Sequence, residues 1–290
     1  MCDDHDFDEM AHARRVSLSR RQFGLLGIGA GLASLLPAPA DAAPITGRSV
    51  DIRTPDGVCD GYFTHPANGT HPGVLMWPDI FGLRPTFRHM ADRLAQSGYA
   101  VLVVNPFYRI RRAPTSPPHP SLNDPAIRKD LTALMTSITP TSTVTDARAF
   151  VPWLRAQAAV SPTRKMASTG YCMGGPFTLR TAAQFPQDIG AGATFHGAGL
   201  VTGDPDSPHL LIARIRARYL MAIAASDDEQ QPEAKTILRQ AFAKAHLAAD
   251  IAVYPGTIHG WCVPDLQVYN PEEAEQAWAR QLQLFAAALA

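Results

Sequence analysis

Gly170-Tyr171-Cys172-Met173-Gly174-Gly175 stands where a short apolar run, residues 165–171, gives way to a segment with helical periodicity, residues 175–184. Read as G-x-C-x-G between a strand and a helix, it describes a bend too tight for side chains on both sides, with one sulfur-bearing residue lifted above a sheet. A residue at such a bend takes a strained backbone angle. The helix that follows presents the positive end of its dipole and its unpaired first-turn N–H groups to the sulfur, which favours a thiolate. The N–H of Met173 is then a donor for an oxyanion. The bland alternative is a buried structural cysteine beside a turn, since free cysteine is among the most buried residue types. It leaves unexplained why the motif falls at a strand-to-helix junction.

Working outward, further apolar runs at residues 73–77, 100–105, 189–195, 219–224 and 251–254 are separated by stretches of helical period at 87–96, 143–157, 233–247 and 272–289. In the last of these Trp278, Leu282, Phe285 and Leu289 recur on one face, a single buried stripe. Near-continuous apolar strands suit a parallel sheet covered on both sides, and strand alternating with helix implies right-handed crossovers. Ligands on such sheets bind beyond the carboxyl ends of the strands. Residues 48–65, broken at Thr54-Pro55-Asp56-Gly57, read as a hairpin at one edge of the sheet. Residues 126–135 form one more expected helix, and 114–125, rich in Pro, Ser and His, an exposed loop suited to a lid or rim.

A cysteine nucleophile needs a base, and the base an orienting acid, in the chain order nucleophile, acid, histidine. Asp227-Asp228 follows the run ending at Ala224, and His259 lies in Tyr254-Pro255-Gly256-Thr257-Ile258-His259-Gly260 after the next run. Both fall in that order. One aspartate is expected to cap a helix, as Asp readily does, while the other orients His259. His196 also lies past a strand end, where it either lines the site or is structural. No group of His, Cys and carboxylates shows metal-ligand spacing, so no metal is expected.

Together Gly170 to Gly175, Asp79-Ile80-Phe81-Gly82-Leu83, Asp227-Asp228 and Tyr254-Pro255-Gly256 with His259-Gly260 resemble the dienelactone hydrolase family from about Arg48 to the C-terminus. The resemblance implies an α/β-hydrolase fold, a mostly parallel sheet with helices on both faces and the hairpin at one edge. It also implies cofactor-free hydrolysis of a small ester or lactone by a Cys-His-Asp triad. Carried over by position, Cys172 is the nucleophile, His259 the general base and then acid, and Asp227 or Asp228 its orienter. Counting along the preceding strand favours Asp227, while counting back from Pro232 favours Asp228; Asp227 is preferred. The N–H of Ile80 becomes the second oxyanion donor. The family pattern carries Glu where this chain has Asp79, a side chain shorter by one methylene. The namesake enzyme holds its substrate's carboxylate with arginines, for which Arg109 and Arg111 are the candidates here. Trp261, just after His259, is a further candidate for lining the substrate, but no basic residue follows His259 as far as Asp265. The alternative reading is a small-molecule binding protein of the same fold that does not turn over.

Composition narrows the field rather than naming a substrate. Of 290 residues 46% are hydrophobic and 18% charged, with 26 basic and 26 acidic side chains, an ordinary globular balance with no field to attract nucleic acid. Ser19-Arg20-Arg21-Gln22-Phe23-Gly24-Leu25 leads an apolar run of 14 residues, 23–36, to small residues at Ala40 and Ala42. A membrane span needs about 20 residues, so residues 1–42 are expected to be a twin-arginine export signal and 43–290 a single domain, periplasmic or secreted, monomeric and not held at a membrane. Without the four arginines and six acids of the first 42 residues, 22 basic and 20 acidic residues remain, a net of +2. Four cysteines at 2, 59, 172 and 262 contain no C-x-x-C pair. In an oxidising compartment Cys59 and Cys262 are the two that would pair.

Overall fold

Strands that are apolar on both faces need cover on both, and the chain supplies it by returning through a helix after nearly every strand. The computed structural model describes residues 44–290, so the expected export signal lies outside the described residues. The chain opens with a hairpin, β1 (Ile45–Thr54) and β2 (Gly57–Pro66), turning at Pro55-Asp56. Then follow β3 (Gly73–Trp77), α1 (Pro85–Gln96) and β4 (Ala100–Val104). Two successive helices, α2 (Pro125–Met135) and α3 (Pro140–Arg155), lead to β5 (Met166–Tyr171), α4 (Gly174–Gln184) and β6 (Ile189–Phe195). A 3-10 segment, Pro208–Arg214, precedes β7 (Arg218–Ala224), the short α5 (Ala225–Gln230), α6 (Ala234–Lys244), β8 (Ala249–Tyr254) and α7 (Pro271–Ala288).

The eight strands form one sheet in the order β1-β2-β4-β3-β5-β6-β7-β8, with β1 and β2 antiparallel to their neighbours and the rest parallel. The expected α/β fold, with its hairpin at one edge, is the fold observed. Alternation along the strands sorts the covering helices. Trp77 pairs in register with Gly170, and its ring meets Phe150 of α3 at 5.7 Å and Phe177 of α4 at 5.5 Å. Tyr171, one residue further along β5, faces the other way and meets Phe87 of α1 at 5.4 Å. On that second face Arg93 of α1 stacks over Trp278 of α7 at 4.3 Å, so α1 and α7 form one layer and α3 and α4 the other. No helix among the described residues is long and apolar enough to cross a membrane.

Local chemistry fixes the helix starts. Asp124 accepts from the N–H groups of Ala126 and Ile127 at the head of α2, Thr139 and Ser142 close a capping box on α3, and Asn270 accepts from Glu273 on α7. Three local expectations are corrected. The segment 114–125 is not wholly an exposed loop: Thr115, Pro120 and Leu122 are buried, and Thr115 donates to the Phe81 carbonyl at 2.9 Å, which pins this loop to the one after β3. Neither Asp227 nor Asp228 caps a helix; they lie inside α5, whose N-cap is Ala224. Cys59 and Cys262 do not pair, for both are free and buried, and Cys59 Sγ instead lies 3.4 Å from the Asp60 and Asn105 carbonyls.

Candidate active site

At the end of β5 the backbone turns through Cys172 at φ +50°, a left-handed angle that residues with a side chain seldom adopt. Three hydrogen bonds hold it there: its N–H donates to the Phe195 carbonyl at 3.0 Å, and its carbonyl accepts from Gly175 at 2.9 Å and Ala198 at 3.2 Å. The flanking glycines answer to close approach. A Cβ on Gly170 would lie 2.1 Å from the Gly174 carbonyl oxygen, and one on Gly174 would lie 2.4 Å from that of Trp77 and 2.7 Å from that of Pro78. The second contact seats the end of β3 directly on the start of α4. That brings the Ile80 loop alongside Met173, the two positions expected to supply oxyanion donors.

His259 lies in the loop after β8, 1% exposed, and its placement is built from the strand ends. Thr257 Oγ1 accepts from the Ala225 N–H at 3.0 Å, the Thr257 carbonyl accepts from Ser226 at 3.3 Å, and Ser226 Oγ accepts from the His259 N–H at 3.1 Å. These bonds clip the β8 loop to the head of α5. In that frame His259 Nδ1 sits 2.8 Å from Asp227 Oδ1. A carboxylate only accepts, so Nδ1 carries the proton and Nε2 is left as the basic nitrogen. Of the two aspartates left open by the sequence, Asp227 is the one at the histidine. Asp228 is turned away and held by Lys235 Nζ at 2.6 and 2.7 Å.

His196 ties the two halves together. It follows Phe195, which is in register with Tyr171, so it stands beside Cys172 at the neighbouring strand end, and its ring lies 5.0 Å from that of His259, edge to face. The ring is fully buried, and neither nitrogen has a hydrogen-bond partner among the described residues. Burial, and then the neighbouring His259, push its pKa well below the ordinary 6.5, so the ring is neutral.

The side chains expected to meet substrate are otherwise engaged. Asp79, 2% exposed, receives Arg84 through Nη1 at 2.6 Å and Nη2 at 2.9 Å and accepts from the Phe81 N–H at 2.9 Å. Arg84 turns its other edge to Asp265, at 2.8 and 2.9 Å. Burial disfavours the guanidinium charge, yet the two carboxylates more than offset it and hold its pKa above the ordinary value. Arg109 is bound by Asp56 and Asp146, and Arg111 by Asp130. Trp261 is completely buried, its ring tilted against that of Tyr254 at 4.6 Å, and so does not line an open site. Arg84 went unread in the sequence, where nothing local marked it, whereas the position past a strand end marked His196 and left lining and structural roles open. Among the described residues no group of three or more His, Cys, Asp or Glu is placed to hold a metal. Cys172 is 4% exposed, and a cleft with about 540 Å³ of open space begins at Met173, the next residue.

An α/β sheet whose nucleophile-type bend, acid and histidine follow β5, β7 and β8 defines a class of hydrolase scaffolds, and the chain belongs to the dienelactone hydrolase family, whose model matches residues 59–289. A carboxymethylenebutenolidase of Rhodococcus opacus is 26% identical over 259 residues, covering 84% of this chain and 94% of its own. A relative in Escherichia coli K12 is 26% identical over 272 residues, covering 91% and 95%. A crystal structure from Klebsiella pneumoniae superposes with a TM-score of 0.70 at 25% identity, covering 84% of this chain and 99% of that one.

Proposed function

We propose that the chain hydrolyses small carboxylic esters or lactones through a thiol nucleophile. His259 Nε2 takes the Cys172 proton as sulfur attacks the carbonyl carbon, and the N–H groups of Met173 and Ile80 stabilise the oxyanion. Collapse breaks the C–O bond, and His259 returns the proton to the leaving alkoxide. Water, deprotonated by His259, then attacks the thioester carbon; the C–S bond breaks and the acid leaves with the thiol restored. Asp227 holds the imidazole in the required tautomer and stabilises its protonated form. One observation carries this reading: a cysteine fixed at φ +50° just past β5 stands one strand end from the ring that packs on an Asp227-bonded histidine. The experiment compares wild type with Cys172→Ala on a chromogenic acetate ester and on a lactone. Activity is expected to vanish in the variant; equal rates overturn the assignment.

A binding protein without turnover is the competing reading, favoured by Asp79, whose carboxylate is taken up by Arg84. Mass spectrometry after a small acyl donor separates the two, a transient adduct on Cys172 supporting hydrolysis and an unmodified folded chain supporting binding. Export of the domain on residues 1–42 is proposed as well; Edman sequencing of the extracytoplasmic protein is expected to begin near Ala43.

A further inference from the structure

We propose that the cleft beginning at Met173 is an acyl-chain site and that the preferred substrates are esters of medium-length, uncharged aliphatic acids, an inference that rests on the hydrolase reading above. Met173, Pro176, Phe177 and Arg180 line the cleft from one side. They fall at positions i, i+3, i+4 and i+7, one stripe of α4. Met135 and Ile138, where α2 passes into α3, form the facing wall, and Pro208 of the 3-10 segment closes the third side. The cleft is open to solvent, with Thr139, Thr202 and Ser207 among the apolar lining residues, the mix of apolar wall and a few polar groups that small-molecule sites show.

The cleft starts one residue past the proposed nucleophile. Met173 both lines it and supplies the backbone N–H proposed for the oxyanion, so a carbonyl seated over Cys172 has one substituent pointing down the stripe. Which substituent follows from the position of His259. The leaving oxygen must take its proton from His259, and no residue of the loop from Thr257 to Cys262 lines the cleft. The alcohol therefore leaves on the histidine side, and the group in the cleft is the acyl chain that stays on sulfur. Seven helical steps from Met173 to Arg180 span about 10 Å at 1.5 Å per residue. An extended chain advances roughly 1.2 Å per bond, three bonds giving the span of one extended residue, so the cleft accommodates about eight carbons.

The far end does not select a charge. Arg180 donates to the Asp206 carbonyl at 3.2 Å, and the Asp204 and Asp206 side chains share the rim with it. Mixed signs at an open mouth neither hold nor repel one ionic group.

The test is an acyl series, p-nitrophenyl acetate through decanoate, run beside an alcohol series from methyl to octyl acetate. Acyl length is expected to raise kcat/KM by about tenfold or more up to about eight carbons, as a cleft that reads methylenes does, while the alcohol series varies far less. Met135→Trp, a half-buried wall position, is expected to lower the octanoate-to-acetate ratio by about tenfold, and Met135→Ala to shift the optimum to longer chains. Because each ratio is internal to one preparation, loss of folded protein does not imitate it. A flat acyl profile, an optimum at acetate, or greater sensitivity to the alcohol overturns this inference and leaves the hydrolase reading standing. No turnover of any ester overturns that reading and this inference with it.

Discussion

Asp227 and Asp228 are neighbours in sequence but stand about 100° apart around the axis of α5, and that rotation decides what each can do. Asp227 meets His259 Nδ1 at 2.8 Å while Asp228 meets Lys235 at 2.6 Å. Asp227→Asn is expected to lower kcat on an ester substrate by 10³-fold or more, on the order seen when the orienting acid of such a triad is neutralised. Asp228→Asn removes a partly exposed ion pair worth about 1 kcal/mol or less and is expected to change kcat only a few-fold. Steady-state kinetics on both variants decide it, and comparable losses would mean that the pair acts jointly. The sequence supplied both residues and a preference for Asp227, but from two counts that disagreed. The rotation of α5 is set by Thr257, thirty residues away, through its bonds to Ala225 and Ser226, and no count along one segment contains that contact. Cys172 was legible for the opposite reason: its glycines, its strand and its helix are all contiguous.

At the scale of elements, Arg84 joins three of them. It is the N-cap residue of α1, it grips Asp79 in the loop after β3, and it reaches Asp265 in the loop after β8. The same loops carry Ile80 and His259, so the guanidinium braces the two sides of the site against each other. Arg84→Met leaves a carboxylate 2% exposed and another 12% exposed without their cation; loss of one partner of a buried pair costs about 3–5 kcal/mol. Urea denaturation is expected to show a loss of that size, and a change below about 1 kcal/mol would show that water reaches the carboxylates once the guanidinium is gone. Asp79, where the family pattern carries Glu, is thus taken up by Arg84 and the Phe81 N–H. The strands were readable because β3 to β6 are short runs dominated by apolar and small residues, buried throughout. The short α5 and the 3-10 segment were not, since neither is long enough to show a period, and Gln281, buried in α7 and bonded to Thr169 at 2.6 Å, shows how a polar residue passes unnoticed inside an apolar stripe.

For the whole molecule, His196 links the site to acid stability. Unfolded, its imidazole takes a proton near the ordinary pKa of 6.5; in the native protein burial, and then the adjacent His259, keep it neutral to well below that value. A histidine whose native pKa is depressed contributes nothing above the unfolded pKa. As pH falls below it, the unfolded chain binds a proton that the native chain refuses, and stability drops at up to about 1.4 kcal/mol per pH unit. Other groups titrate over the same interval, so the quantity to read is the difference in slope between wild type and a variant without the imidazole. His196→Phe keeps an aromatic ring, and His196→Asn tolerates the backbone angle of φ +40° at this position. Unfolding free energy measured from pH 7.5 to 5.5 is expected to fall more steeply in wild type than in either variant, by close to one proton at the acid end. Parallel slopes would show that His196 protonates in the folded protein, which would place a positive charge with its ring 5.0 Å from that of His259 and remove the reason for treating it as a neutral neighbour of the base.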